Sequence, residues 1–240
     1  MPQRHRFYTP MAGPGDAMIP LPADEAHHAL RVVRLRSGDE AEAFDGCGNL
    51  WKGTLETTGK RDAALRVESH EAEPRPEPRL TLLQAWLHKP KAIEELLRRG
   101  TEAGITSFVF FRAARSERAP IGNPKWHAHL AEVCKQSGAN WMPILVLIDD
   151  PVDFLRERGL PAFVASLEPG ALALDAVDAA AEQILVVGPE GDFTAEEYAA
   201  ITEAGARPVS LGPLVYRSEV AAVLAATLLR FRAGAYRPAR

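Results

Sequence analysis

Two stretches near the C-terminus decide how this chain reads: Ile184-Leu185-Val186-Val187-Gly188-Pro189-Glu190-Gly191 and Val209-Ser210-Leu211-Gly212-Pro213-Leu214-Val215-Tyr216-Arg217-Ser218-Glu219. Each is a short apolar run that breaks at glycine and proline and then enters a helical pattern. That is the outline of two strand-to-loop corners in an α/β sheet, where such sheets bind ligands. Glycine lets the backbone approach a ligand or take a positive φ, and proline stiffens the loop. Thr194-Ala195-Glu196-Glu197 has the spacing of a capping box, so a helix starts just after the first corner.

Outward from these corners, strand and helix patterns alternate. Apolar runs at 80–87, 107–111, 144–148, 162–167, 184–187 and 209–211 read as strands. Helices are expected over 91–103 with Gly104 as the stop, and over 124–137 with Asn123 as cap and Gly138 as stop. Further helices follow Asp150-Pro151, run from Thr194 to Gly205, and span 218–232. Alternation of this kind predicts a mostly parallel sheet with helices on both faces. Upstream, Glu71 to Arg79 carries Pro74, Pro76 and Pro78 at alternate positions and predicts an extended, exposed linker. Before it, residues 6–67 show short strands and turns around Ser37-Gly38-Asp39 and Asp45-Gly46-Cys47-Gly48. One helix, opened by Asp24 and Glu25 and continued to Arg34, interrupts them. The expected organisation is a small β-barrel domain over 1–72, a linker over 73–79, and an α/β domain over 80–240.

The bulk numbers narrow the class. The chain has 240 residues, 46% hydrophobic and 25% charged, with net charge -4 and a pI near 6.0. A protein that coats nucleic acid non-specifically is usually basic, so any nucleic-acid contact here must come from local patches. Cys47 and Cys134 form no CxxC pair and read as reduced thiols. No signal-peptide core or bilayer-length apolar run is present, so the expectation is a cytoplasmic protein with no membrane partner.

The first corner is not a Walker loop, because no Gly-Lys-Ser/Thr follows, and it lacks the G-x-G-x-x-G spacing of a dinucleotide fingerprint. By itself it is either a plain turn or a ligand loop. The second corner adds Tyr216, Arg217, Ser218 and Glu219 where a strand ends and a helix begins. Ser218 could be a helix cap and Arg217 a surface arginine, or both could serve a site. His27 and His28 are adjacent, a poor metal pair, and no metal site is expected.

The pair GPEGDFTAEE and LGPLVYRSEVAA resembles the two C-terminal motifs of the RsmE family of 16S rRNA uridine-N3 methyltransferases, of the SPOUT class. EAHHALRVVRLRSGDE is similar to that family's N-terminal stretch, RRGTEAGI to its first helix end, and Ser116-Glu117-Arg118 and 132–143 to two intervening elements. Asp192, Val220, Ala139 and Arg99 stand where the pattern has glycine, threonine, arginine and lysine.

This resemblance implies a SPOUT-type α/β knot, with a C-terminal trefoil knot, behind a PUA-like domain. It implies S-adenosyl-L-methionine as cofactor, held by Leu167, Glu168, Val187, Gly188, Pro189, Glu190, Gly191, Leu211, Gly212, Leu214 and Val215. Arg217, Glu219 and Glu190 are the candidate catalytic residues. Arg4, Arg6, Arg31, Arg34, Arg36, Arg115 and Arg118 are the candidate RNA contacts, with Arg31 and Arg34 expected on one helix face. The implied partners are 16S rRNA or the small ribosomal subunit and a second copy of the chain. A SPOUT enzyme acting on another RNA, or a non-catalytic RNA-binding module of the same fold, are the alternatives.

Overall fold

The computed structural model describes residues 5–178 and 180–236. The chain divides into two units, and it first passes from one to the other within the proline-rich stretch. The first unit comprises Met1–Arg75 and Ala131–Met142, the second Pro76–Leu130 and Pro143–Arg240.

The first unit contains β1 (His5–Tyr8), β2 (Met18–Pro20), α1 (Ala23–His27), β3 (Glu40–Phe44), β4 (Asn49–Thr57) and β5 (Ala63–Ala72). The strands form one sheet in the order β1-β3-β4-β5-β2, antiparallel except for the β1–β3 pair. Alternation in β3 and β4 turns Ala41, Ala43, Trp51 and Leu55 inward against Phe7, Ile19 and Leu65. A bulge at Lys52/Gly53 breaks the β4–β5 register, and a Cβ on Gly53 would lie 1.8 Å from the Arg66 carbonyl oxygen. Only glycine fits there.

One expectation for this unit is corrected. The helix opened by Asp24 is α-helical only to His27 and then widens into a π-helical turn over His28–Val33. Arg34 closes that turn in the left-handed region at φ 63°. A π-turn is wider than an α-turn, and Arg34 has already left the helix, so Arg31 and Arg34 do not share a helical face. Glu73 donates its N–H to the Gly48 carbonyl (2.8 Å) and the Arg75 guanidinium stacks over Trp141.

Residues 131–142, expected in the α/β domain, pack with the first unit because their polar groups are used there. Lys135 pairs with Glu25 at 3.0 Å, both side chains being about nine-tenths buried. Trp141 Nε1 donates to the Glu73 carbonyl at 3.0 Å, and Met142 N–H to that of Gly46 at 2.9 Å.

The second unit carries β6 (Arg79–Ala85), α2 (Pro90–Glu102), β7 (Ser107–Phe111), α3 (Lys125–Ser137, its end belonging to the first unit), β8 (Ile144–Leu147), α4 (Pro151–Arg158), β9 (Ala162–Ala165), β10 (Leu172–Ala173), β11 (Glu182–Val187), α5 (Ala195–Glu203), β12 (Ala206–Ser210) and α6 (Ser218–Arg232). Its seven strands run in the order β10-β12-β9-β11-β6-β7-β8, every pair parallel. Both faces of a parallel sheet are covered, which is why Ile184, Leu185 and Val186 form a continuous apolar run instead of alternating. Leu83, Val109, Phe111, Val164, Ile184, Val186 and Phe193 belong to one core cluster. The helix starts behave as their sequence predicts: Asp150 Oδ1 accepts the N–H of Val152, and Thr194 and Glu197 form the reciprocal capping box.

The order of the strands sets the site. From β6 the chain builds outward through β7 and β8, then returns to the other side of β6 for β11, β9 and β12. The strand order therefore reverses between β6 and β11, and a crevice opens at the carboxyl ends there. After β12, residues 211–217 lead into α6, which packs back against β11, β6 and β9. This return is the segment where the resemblance puts the trefoil knot.

Candidate active site

Four loops leave the carboxyl ends of β6, β9, β11 and β12 and enclose one cleft of about 510 Å³. Lys89 and Ala92 come from the start of α2, and Ser166 and Leu167 from the end of β9. Val187 to Glu190 and Asp192 form the first corner; Leu211 and residues 214–219 form the second. The volume lies in the range of small-molecule sites. Leu167, Leu214 and Val215 are 61%, 63% and 78% exposed at its rim. Apolar side chains left in water around a concavity are surface that a partly apolar ligand would cover.

The loops are held by hydrogen bonds from outside the cleft. Arg115 Nη1 donates to the carbonyls of Gly191 (2.8 Å) and Phe193 (3.2 Å), tying down the first corner. Asp192 follows Gly191 with φ 61°, and its own Oδ1 accepts the N–H of Phe193 at 2.8 Å. Aspartate tolerates this left-handed conformation because its short side chain can bond locally. Tyr198 of α5 donates its hydroxyl to Ser166 Oγ at 2.7 Å, and Ser166 Oγ accepts the N–H of Glu168 at 3.0 Å. Gly212 sits at φ 96°, a conformation an L side chain would strain, and thereby turns the chain from β12 toward α6.

Arg217 is the N-cap of α6 and is exposed, with its backbone extended at φ -61° and ψ 149°. Its side chain has no hydrogen-bond or ion-pair partner among the described residues. Glu219 lies in the first turn of the helix, half-buried. Glu190 also lines the cleft, its Oε1 accepting the backbone N–H of His88 at 3.0 Å. Ser218, which could have been a cap, is the first helical residue instead; its hydroxyl donates to the Gly188 carbonyl.

Of the residues expected at the cofactor site, Leu167, Val187, Gly188, Pro189, Glu190, Leu211, Leu214 and Val215 line the cleft, as do Arg217 and Glu219. Glu168, Gly191 and Gly212 shape its loops without lining it. Sequence reasoning missed Lys89, Ser166 and Gln84. Gln84 had a signal: it is the lone amide in the apolar run Leu80-Thr81-Leu82-Leu83-Gln84-Ala85-Trp86-Leu87.

The expected RNA contacts divide. Arg31, Arg34, Arg36 and Arg118 are exposed, and Arg4 lies outside the described residues. Arg6 is corrected: its side chain is only 9% exposed beside Glu42, donates to Asn140 Oδ1 at 2.5 Å, and stacks on Phe44. Burial pushes its pKa down from the usual arginine value, with Glu42 opposing. A guanidinium committed in this way braces the first unit and is not available to a phosphate. Arg115 is likewise engaged by the first corner.

A parallel α/β unit with a ligand cleft at its reversal point follows a small β-sheet unit along the chain, and its matches to known families make it an RNA methyltransferase. Residues 74–230 match the family model described as an RNA methyltransferase domain, and residues 21–68 match an RNA methyltransferase PUA domain. The chain is 32% identical over 232 residues to the ribosomal RNA small subunit methyltransferase E of Mycobacterium bovis, covering 91% of this chain and 88% of that one. The fold is similar to a ribosomal RNA small subunit methyltransferase E from Neisseria gonorrhoeae bound to S-adenosyl methionine, with TM-score 0.80 and 26% identity over 95% and 97% of the two chains. It is also similar to a probable rRNA-methyltransferase from Porphyromonas gingivalis, with TM-score 0.85 and 26% identity over 97% and 99%. The chain belongs to the ribosomal RNA small subunit methyltransferase E family.

Proposed function

We propose that this chain methylates N3 of one uridine in 16S ribosomal RNA of the small subunit, using S-adenosyl-L-methionine, as a cytoplasmic homodimer. The observation that carries this reading is the cleft at the β6/β11 reversal, with its apolar rim of Leu167, Leu214 and Val215 and the uncommitted Arg217 at its edge. Relatives along nearly the whole chain are named for methylating small-subunit ribosomal RNA, and one solved structure holds S-adenosyl methionine.

The cleft suits that cofactor. Val187, Leu211, Leu214 and Val215 offer apolar surface for an adenine, and the backbone of 187–191 offers polar groups within the same walls. Bound there, the cofactor supplies an electrophilic methyl group. The residues of the chain have the remaining tasks. N3 of uracil carries a proton and lies on the pairing edge, so the base must be unpaired or flipped and the proton removed. Arg217 is assigned to hold a uracil oxygen and stabilise the anionic base as N3 loses its proton. Glu190 and Glu219 are the candidates to orient Arg217 or receive the proton. Arg31, Arg34, Arg36 and Arg118 are assigned to phosphates, each real contact steepening the salt dependence of binding by about one unit.

The homodimer rests on α6. Its buried face is Ala222, Ala225, Ala226 and Leu229, yet Val220, Leu224, Leu228 and Phe231 form a second apolar stripe that is 38% to 65% exposed. A helix apolar on both sides is normally covered on both.

Mass mapping of 16S rRNA from a strain lacking the gene tests the function directly. One uridine should lose a methyl at N3, and a full modification pattern in that strain would overturn the reading.

A further inference from the structure

Gln84 is fully buried at the end of β6, in register with Val187 of β11, and does not itself line the cleft. Its Nε2 lies 2.9 Å from the Ala85 carbonyl oxygen, 3.1 Å from that of Gly188 and 3.4 Å from that of Val187. The fourth neighbour is Ser218 Oγ at 2.9 Å. Three of these can only accept, so the amide nitrogen must face them. With its proton given to the Gly188 carbonyl, Ser218 is left to accept from Gln84. Gln84, Ser218 and Gly188 thus close a ring that joins the end of β6, the first corner and the first turn of α6.

This ring is an expensive way to fill a core. Leucines at 82 and 83 occupy the same strand with no polar group to satisfy. Gln84 instead leaves its Oε1 without a donor among the described residues. An unpaired buried acceptor is destabilising, so packing alone does not account for an amide here. What the amide does supply is direction. It sets the distance from Gly188, in the cofactor wall, to Ser218, the neighbour of Arg217.

We propose that Gln84 is a positioning residue for methyl transfer: through Ser218 it fixes the start of α6 against Gly188, and so fixes Arg217 relative to the bound cofactor. This rests on the proposed function of the cleft. Misplacement of a reacting group by about 1 Å can cost on the order of 100-fold in rate, which is the lever such a residue holds.

The test compares Gln84→Met, which keeps length without a donor, Gln84→Glu, which turns an acceptor toward three carbonyls, Ser218→Ala, and the Gln84→Met/Ser218→Ala double variant. Each is assayed for urea midpoint, affinity for S-adenosyl-L-methionine by calorimetry, and single-turnover methyl transfer to undermethylated small subunits at saturating cofactor. Gln84→Met and Ser218→Ala should each lower the transfer rate about 10- to 100-fold, with a smaller loss of cofactor affinity. The double variant should be no worse than the poorer single one, because both break the same ring. Gln84→Glu should be the slowest; should it not fold, the other three decide. Wild-type rates in the single variants, or effects that multiply in the double, would overturn the positioning role. A wild-type protein that neither binds the cofactor nor methylates subunits would instead overturn the function on which it rests.

Discussion

Arg217 is distinguished by what surrounds it. The other arginines near the cleft are spent or distant: Arg115 holds two carbonyls of the first corner, whereas Arg217 caps α6 with its side chain uncommitted. In a site where charge develops on a base, a fixed cation is worth most when it has no carboxylate already in hand. Arg217→Ala should therefore lower the methyl-transfer rate by about 100-fold or more and leave cofactor affinity within a few-fold. Calorimetry beside single-turnover assays checks this, and full turnover in the variant would remove Arg217 from the chemistry. Arg217 and Glu219 were legible because polar groups stood at the mouth of an apolar run. Asp192 was legible only as a departure from a pattern, and its left-handed φ of 61° emerged from the fold. Gln84 was readable as an oddity in a strand, but Gly188 and Ser218, the partners that join it to the site, are more than 100 residues away and no local signal points to them.

Among the elements, those set by local chemistry matched their reading: α4 and α5 begin at their caps, and α6 spans the expected residues. The exception is the α1 segment, where an acidic start and apolar spacing predict an α-helix but the turn over His28–Val33 is π-helical. Propensity distinguishes helix from strand far better than it distinguishes one helical hydrogen-bond pattern from another. The two-residue strand β10 was also invisible, since two residues carry no period. At this scale the exposed stripe of α6 carries a prediction. Phe231, 65% exposed, would be covered in a dimer, so Phe231→Glu should shift the chain from dimer to monomer in light scattering. A wild-type chain that is monomeric at assay concentration would contradict the homodimer.

At the scale of the molecule, the sheet order could not be read from the sequence, because which strands pair is decided by burial across the whole fold. The α/β alternation was legible, and the parallel sheet followed from it. The assignment of 131–142 was not, because Lys135, Asn140 and Trp141 find their partners at Glu25, Arg6 and Glu73. Cys134, in that same segment, gives the first unit a pH dependence. Burial raises its pKa from 9.0 to about 11. Below pH 9 the thiol is protonated folded or unfolded and contributes nothing. Between about 9 and about 11 only the unfolded chain releases the proton, so stability falls as pH rises. The urea midpoint should drop across that window, and less steeply in Cys134→Ala; equal slopes would show that the thiol stays accessible. The central claim, however, is that the four loops at the β6/β11 reversal hold S-adenosyl-L-methionine, and calorimetric titration of the purified chain with that cofactor tests it most directly. Saturable binding is the predicted result, and no heat of binding at high protein concentration would contradict it.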